Sequence, residues 1–454
     1  MGNSGVDESI LHLTLRELCK QLKEGSLTPA SVLYSYMEKA LEVTKELNCI
    51  TDYLSESQAQ VKELGESGIR GMLYGIPISI KDNLFYKGHD STCGLSRFIN
   101  KPEEEDSIIV QVLKKQGAIP FVKTNVPQSL LSYECSNPIF GSTANPYNGN
   151  RTSGGSSGGE GALIAGGGSI LGFGSDIGGS IRFPASFCGI CGFKPTANRL
   201  SKKGIKASVA GQKTLEVMIG PMARDVDSLA LCMKALLCED MFRLDPTVPP
   251  IPFKDEIYSN TKMLRIGYFE SDGYWIPNPS MRRAIRETKQ LLEEAGHTVS
   301  LSVFQENCKD WVERKVIIND TEFLYFGQVY SDEYMNQWKK QDLDVLLCPS
   351  LGPAFKFGYA GKLIAAASGM SIFNLLNYPA GIVPVSKVSE QDEEELKHYT
   401  GYNNDFWDRT FKKAVMGGVG LPLAVQCVAL PWQDELCLYF MREVERLVCA
   451  KKGI

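Results

Sequence analysis

The sequence predicts an α/β protein with mixed layers and one large core carrying subdomains. Short apolar, β-branched runs alternate with stretches whose apolar residues recur at helical spacing. At 454 residues, 43 % of them hydrophobic and 22 % charged, the chain is long enough for a large α/β enzyme. No internal repeat interrupts the pattern.

The elements follow in order. Residues 13–45 predict two helices that form an amphipathic lid or flank: Leu13, Leu15, Leu18 and Leu22 share a face, Gly25 stops the first helix, and Thr28-Pro29 starts the second. The run Ile76–Ile80 between turn formers predicts a buried strand ending at Lys81. A helix from Asp106-Ser107 through Lys115, ended by Gly117, leads to a strand over Ala118–Val122. Residues 150–200 form a glycine-rich centre, and the proline-rich stretch 244–252 predicts a surface connector. Strands over Leu264–Phe269, Leu343–Leu347, Gly381–Val385 and Leu423–Leu430 follow, with helices over Ser280–Glu294 and Gln433–Ala450. The acidic run Glu390–Glu395 reads as a solvated loop.

Composition excludes several classes. A net charge of −5 gives no reason to expect nucleic acid as a partner. The 13 cysteines are scattered, and Cys188-Gly-Ile-Cys191 lacks the second ligand pair a metal needs, so they read as reduced thiols in a reducing compartment. Met1–Val6 is polar and carries no secretory signal, and Val6 spoils its likeness to a myristoylation site. No stretch approaches the roughly 18 uninterrupted apolar residues of a membrane span.

Two glycine-rich serine clusters carry the chemistry, Gly154-Gly155-Ser156-Ser157-Gly158-Gly159 and Asp176-Ile177-Gly178-Gly179-Ser180-Ile181-Arg182. The first matches Gly-x-Ser-x-Gly through Ser156 and through Ser157, as in a nucleophile elbow. It also has phosphate-loop spacing, but Glu160-Gly161 replaces the required Lys-Ser/Thr and puts a negative charge where a phosphate would sit. A flexible Gly/Ser linker is the plain alternative. The apolar Ala162–Ala165 that follows speaks against it.

None of the four histidines lies near either cluster in sequence, which does not exclude contact in space, but a nearer base is available. Lys81 is a candidate: burial at a strand end favours the neutral amine, which can accept a proton from a serine. An ammonium capping the strand in water is the alternative. Two serines and a lysine allow a relay in which Lys81 takes a proton from Ser156 and Ser156 takes one from Ser180, the nucleophile. The backbone N–H groups of Ile177, Gly178, Gly179 and Ser180 would then face the oxyanion.

Gly75–Lys81, both serine clusters and Cys188-Gly-Ile-Cys-Gly-Phe-Lys-Pro195 together resemble the amidase signature family of hydrolases. Tyr86–Thr92, Val126–Ser129, Gly220–Asp225 and Val425–Trp432 are similar to its fatty acid amide branch. The resemblance implies an α/β fold with a mixed twisted β-sheet core covered by helices on both faces. It implies an N-terminal helical flank over 1–70 and a catalytic domain over 71–454. It further implies a Ser-Ser-Lys triad of Ser180 (nucleophile), Ser156 (bridge, on a cis peptide) and Lys81 (acid and base). Leu130 and the Ile177–Ser180 backbone would touch substrate, with Arg182 as a support. Leu131, Tyr133, Ile364, Ala367, Ser371 and Trp407 resemble acyl-channel walls, though each reads equally well as plain core.

Vertebrate members of that branch carry an N-terminal membrane segment and an apolar helical cap. Neither is expected here: the N-terminus begins near where the catalytic domain begins, and the cap region, about 299–343, is short, polar and charged, as in Asn307–Arg314. The expected activity is hydrolysis of fatty acid amides, such as N-acylethanolamines and primary fatty amides, without metal or organic cofactor. The expected setting is intracellular, cytoplasmic or peripheral to internal membranes. The substrate would be a small-molecule lipid amide; peripheral membrane contact and a homodimer stay open. Alternatives are a glutaminase-type amidotransferase subunit, a shortened ligand-binding form that turns nothing over, and an α/β-hydrolase with Ser156 as nucleophile and His297 or His398 as base.

Overall fold

Helix punctuation in the first fifty residues positions everything behind it. The computed structural model describes residues 8–68, 70–208, 215–273, 275–302 and 320–453. Met1–Val6 and Asn307–Arg314, the core of the expected cap stretch, lie outside the described residues. Thr14 caps Leu15–Glu24 in a capping box with Glu17, and Gly25 ends it in the left-handed conformation at φ +80°. Thr28 and Pro29 then start Pro29–Leu47 as expected. Leu15, Leu18, Leu22, Val32, Leu33 and Tyr36 bury their side chains, so both helices belong to the main core.

One mixed sheet of eleven strands forms the centre. In chain order the strands are β1 (Ile50–Tyr53), β2 (Pro77–Lys81), β3 (Ile119–Thr124), β4 (Leu171–Asp176), β5 (Cys191–Lys194), β6 (Met218–Ala223), β7 (Arg265–Tyr268), β8 (Thr298–Leu301), β9 (Val345–Pro349), β10 (Ala380–Lys387) and β11 (Pro422–Val428). Their spatial order is β1-β3-β2-β4-β6-β5-β10-β11-β9-β7-β8. The pairs β2/β3, β2/β4, β7/β8 and β7/β9 are parallel and the others antiparallel, the mixed arrangement the sequence predicts. The helix Ile108–Lys115, capped by Ser107, provides the crossover from β2 to β3. Strand β1 lies within the expected N-terminal flank and adds an edge to the sheet.

In the second half, Asn278 caps Pro279–Glu294, which packs on β11, and the final helix Asp434–Lys452 covers β10. The acidic run corrects the expectation of a loop: Glu390–Leu396 is a helix. Ser389 and Asp392 form a capping box at its start, and the acidic residues lie at the helix end where negative charge is favoured. Asp392 is buried against Arg283 at 2.6 Å. In the connector at 244–252, Asp245 and Val248 are buried, and Ser201 Oγ donates to Asp245 at 2.5 Å. Among the described residues, no helix is long and apolar enough to cross a membrane, and the described cysteines are free thiols.

Candidate active site

Strand β2 is buried along its whole length, which carries Lys81 into the interior at its C-terminal end. Lys81 Nζ donates to Ser156 Oγ at 2.7 Å, to Ser175 Oγ at 2.9 Å and to the Ser175 carbonyl at 3.2 Å. Burial pushes the amine down to about 7, against the opposing pull of Asp176. At neutral pH a sizeable fraction of Lys81 is therefore an amine with two N–H groups and one lone pair. Ser175 Oγ also lies 3.4 Å from Asn83 Oδ1, to which it donates. That leaves Ser156 as the hydroxyl able to donate to the neutral amine.

The loop before the Gly158–Ala165 helix presents Ser156, and the Gly155–Ser156 peptide is cis. The neighbouring Ser157 has a different task. Its N–H donates to the Ser180 carbonyl at 3.1 Å and its Oγ accepts from Ser175 N–H at 3.3 Å, so it ties the two serine loops together. Ser180 is 9 % exposed, against 3 % for Ser156 and none for Lys81, so among the three it offers the most accessible hydroxyl.

Asp176 shapes the turn that holds Ser180. Its carboxylate accepts from Gly179 N–H at 2.7 Å and from Ile181 N–H at 3.0 Å. Arg182 Nε and Nη2 each donate to it at 3.0 Å, and Asn374 Nδ2 at 2.9 Å. Although burial opposes ionisation, Arg182 and Asn374 hold the carboxyl well below the usual carboxylate range. Arg182 continues to the Met370 carbonyl and Gln426 Oε1, both at 2.8 Å.

Gly179 has φ +119°, and a Cβ there would meet the Phe183 ring at 2.4 Å, so the turn demands glycine. Because the Gly179 N–H is committed to Asp176, the expected oxyanion donors reduce to the N–H groups of Ile177, Gly178 and Ser180. None of these three has an acceptor among the described residues.

The remaining expected residues divide. Ser371 Oγ donates to the Gly178 carbonyl at 3.0 Å, which brings it to the Ser180 turn. Tyr133 is buried, packs on Phe183 at 5.1 Å between ring centroids, and donates its hydroxyl to the Leu363 carbonyl. Ser129 and Leu130 are consecutive left-handed residues at φ +59° and +62°, a costly backbone of the kind found at functional sites. Leu131 and Ile364 are each 61 % exposed and are not core. Ala367 and Trp407 are half-buried, and Trp407 stacks on Phe411 at 5.6 Å.

Histidine is absent from these contacts. His297 lies beside β7, where Nδ1 accepts from Leu264 N–H at 3.0 Å and Nε2 faces Glu443 at 3.3 Å. Sequence reasoning included Asp176 in the second cluster without giving it a task, and missed Ser175, Asn83, Asn374 and Gln426. Ser175 directly precedes that cluster; Asn374 and Gln426 reach the site only through the fold.

The amidase family model matches residues 31–306 and 301–438. The chain is 48 % identical to "Fatty-acid amide hydrolase 1" of Sus scrofa, covering 97 % of this chain and 86 % of that one. It is 36 % identical to "Fatty acid amide hydrolase 1" of Caenorhabditis elegans over 97 % of this chain and 89 % of that one. Among solved structures, a "Fatty acid amide hydrolase" superposes with a TM-score of 0.81 at 27 % identity, covering 98 % of this chain and 86 % of that one. A 6-aminohexanoate cyclic dimer hydrolase, at 19 % identity and a TM-score of 0.75, shares the fold, covering 96 % of this chain and 97 % of that one.

Proposed function

The chain belongs to the amidase family and is an amide-cleaving hydrolase, and from that premise we propose that it hydrolyses fatty acid amides through an acyl-enzyme on Ser180. The observation that carries this reading is the fully buried Lys81 amine 2.7 Å from Ser156 Oγ, in a segment tied to the Ser180 turn. The names of its Sus scrofa and Caenorhabditis elegans relatives support a fatty acid amide as substrate; N-acylethanolamines and primary fatty amides are the substrates proposed.

Neutral Lys81 takes the Ser156 proton while Ser156 takes that of Ser180, whose Oγ attacks the amide carbon. The oxyanion meets the N–H groups of Ile177, Gly178 and Ser180. Lys81, now an ammonium, returns its proton through Ser156 to the departing nitrogen, because an amide anion is too basic to leave unprotonated. Water then attacks the acyl-enzyme, releasing the fatty acid. Leu131, Ile364, Ala367, Ser371 and Trp407 are the proposed boundary of the acyl site.

The test is peptide mapping by mass spectrometry after treatment with a fluorophosphonate, together with Lys81→Ala assayed on matched amide and ester substrates. An adduct on Ser180, lost in Ser180→Ala, is expected, with Lys81→Ala impairing the amide more than the ester. An adduct on Ser156, or equal loss on both substrates, refutes the relay.

A further inference from the structure

Glu160 takes the place where a phosphate loop would need a lysine, and the proposed reaction leaves it without a task. It lies in the first turn of the Gly158–Ala165 helix and is fully buried. Ser79 Oγ donates to its carboxylate at 2.5 Å and Thr124 Oγ1 at 2.8 Å. Ser79 precedes Lys81 by two residues on β2, so both side chains leave the strand on one face. Thr124 is the β3 residue paired with Lys81. The carboxylate is thus held from two adjacent strands, by the residue two before Lys81 and by the residue paired with Lys81.

Space for it comes from Gly172, the β4 partner of Ser79. A Cβ at that position would lie 2.0 Å from Glu160 Oε2 and 2.6 Å from Ser79 Oγ. The cation acting on Glu160 is Lys81, and the other titratable group it faces is Cys49. The groups that act most on Lys81 are Asp176, Cys93, Cys135 and Asp82, of which Asp176 is engaged by Arg182 and Asp82 by Lys123.

We propose that Glu160 is a positioning residue for the reaction, an internal counter-charge that sets how readily Lys81 gives up its proton. This rests on the reading of Lys81 as the base. Burial pushes the Glu160 acid up to about 7, the same range to which burial brings Lys81 down. Each ionised group favours the charge of the other, so an ionised Glu160 keeps Lys81 protonated to higher pH.

The test is the pH dependence of fluorophosphonate labelling at Ser180 in Glu160→Gln, which keeps the side chain's shape and removes its charge. The ascending limb is expected to move to lower pH by about one unit, the order expected from one buried charge acting across a strand spacing. A limb that coincides with the parent's, or moves to higher pH, overturns the proposal. Should Glu160→Gln fail to fold, Ser79→Ala serves instead. It removes a donor that stabilises the carboxylate, so the limb should move in the same direction by less, and an unmoved limb again overturns the proposal. Lys81→Ala separates the two readings. Parent-like labelling in that variant refutes Lys81 as the base, whereas an unlabelled Lys81→Ala with an unmoved Glu160→Gln limb overturns only the role of Glu160.

Discussion

Replacing Asp176 with asparagine changes one buried charge and almost no volume. The carboxylate now serves five N–H groups, those of Gly179 and Ile181, two of Arg182 and one of Asn374. A carboxamide offers a single acceptor oxygen, and its own N–H groups point at the other donors. At least two buried donors lose their acceptor, and Arg182 is left with neutral partners at Met370, Asn374 and Gln426. Removing one partner of a buried pair costs about 3–5 kcal/mol. For a chain of 454 residues that lowers the melting midpoint by roughly 3–5 °C. Scanning fluorimetry and urea unfolding measure the stability, and fluorophosphonate labelling at Ser180 measures the turn. With Gly179 and Ile181 unheld, labelling should slow by on the order of 100-fold, comparable to losing an oxyanion donor. Stability within about 1 kcal/mol of the parent, together with an unchanged labelling rate, would refute the account of the turn.

Amide hydrolysis by the parent should rise with pH through about 7, because the amine replaces the ammonium above the value to which burial lowers Lys81. A limb near 10.5, where an exposed lysine titrates, would show that burial does not set it. Gly172→Ala should destabilise by about 1–3 kcal/mol in urea unfolding, since the new methyl meets Glu160 and Ser79 at overlapping distances. Ser389→Ala should cost about 1 kcal/mol through the lost cap of the Glu390–Leu396 helix, and stability equal to the parent would argue against that helix. Arg151→Met should cost about 3 kcal/mol or more in the same assay, because the buried guanidinium donates to the carbonyls of Ala354, Ala414, Val415 and Met416.

Legibility followed local physics. Gly25, Thr28 and Ser107 mark helix boundaries within a residue or two, because each satisfies backbone groups next to it in sequence, whereas the caps Thr14 and Asn278 went unread. The β-branched strand β2 was equally plain. Strands β4 and β6 were not, since Leu-Gly-Phe-Gly-Ser-Asp and Met-Ile-Gly-Pro-Met-Ala hide their pairing behind glycine and proline. Charge misled at Glu390–Glu395, where capping by Ser389 and the long-range partner Arg283 outweigh solvation. Within the site, residues inside glycine motifs stood out. The Ser175–Asn83, Arg182–Asn374 and Arg182–Gln426 contacts needed the fold, because they join segments far apart in sequence.

Arg182 touches both halves of the sheet. Lys81, Ser156 and Ser180 come from the N-terminal half, whereas Ile364, Ala367, Ser371 and Trp407 come from beyond β9. The guanidinium reaches Met370, Asn374 and Gln426 across that divide. In the proposed site, the residues that carry the chemistry and four of the five that bound the acyl group, all but Leu131, therefore lie on separate lengths of the gene. On that proposal, a chimera that exchanges residues beyond β9, Asn374 and Gln426 included, changes what is cut and leaves Lys81, Ser156 and Ser180 in place.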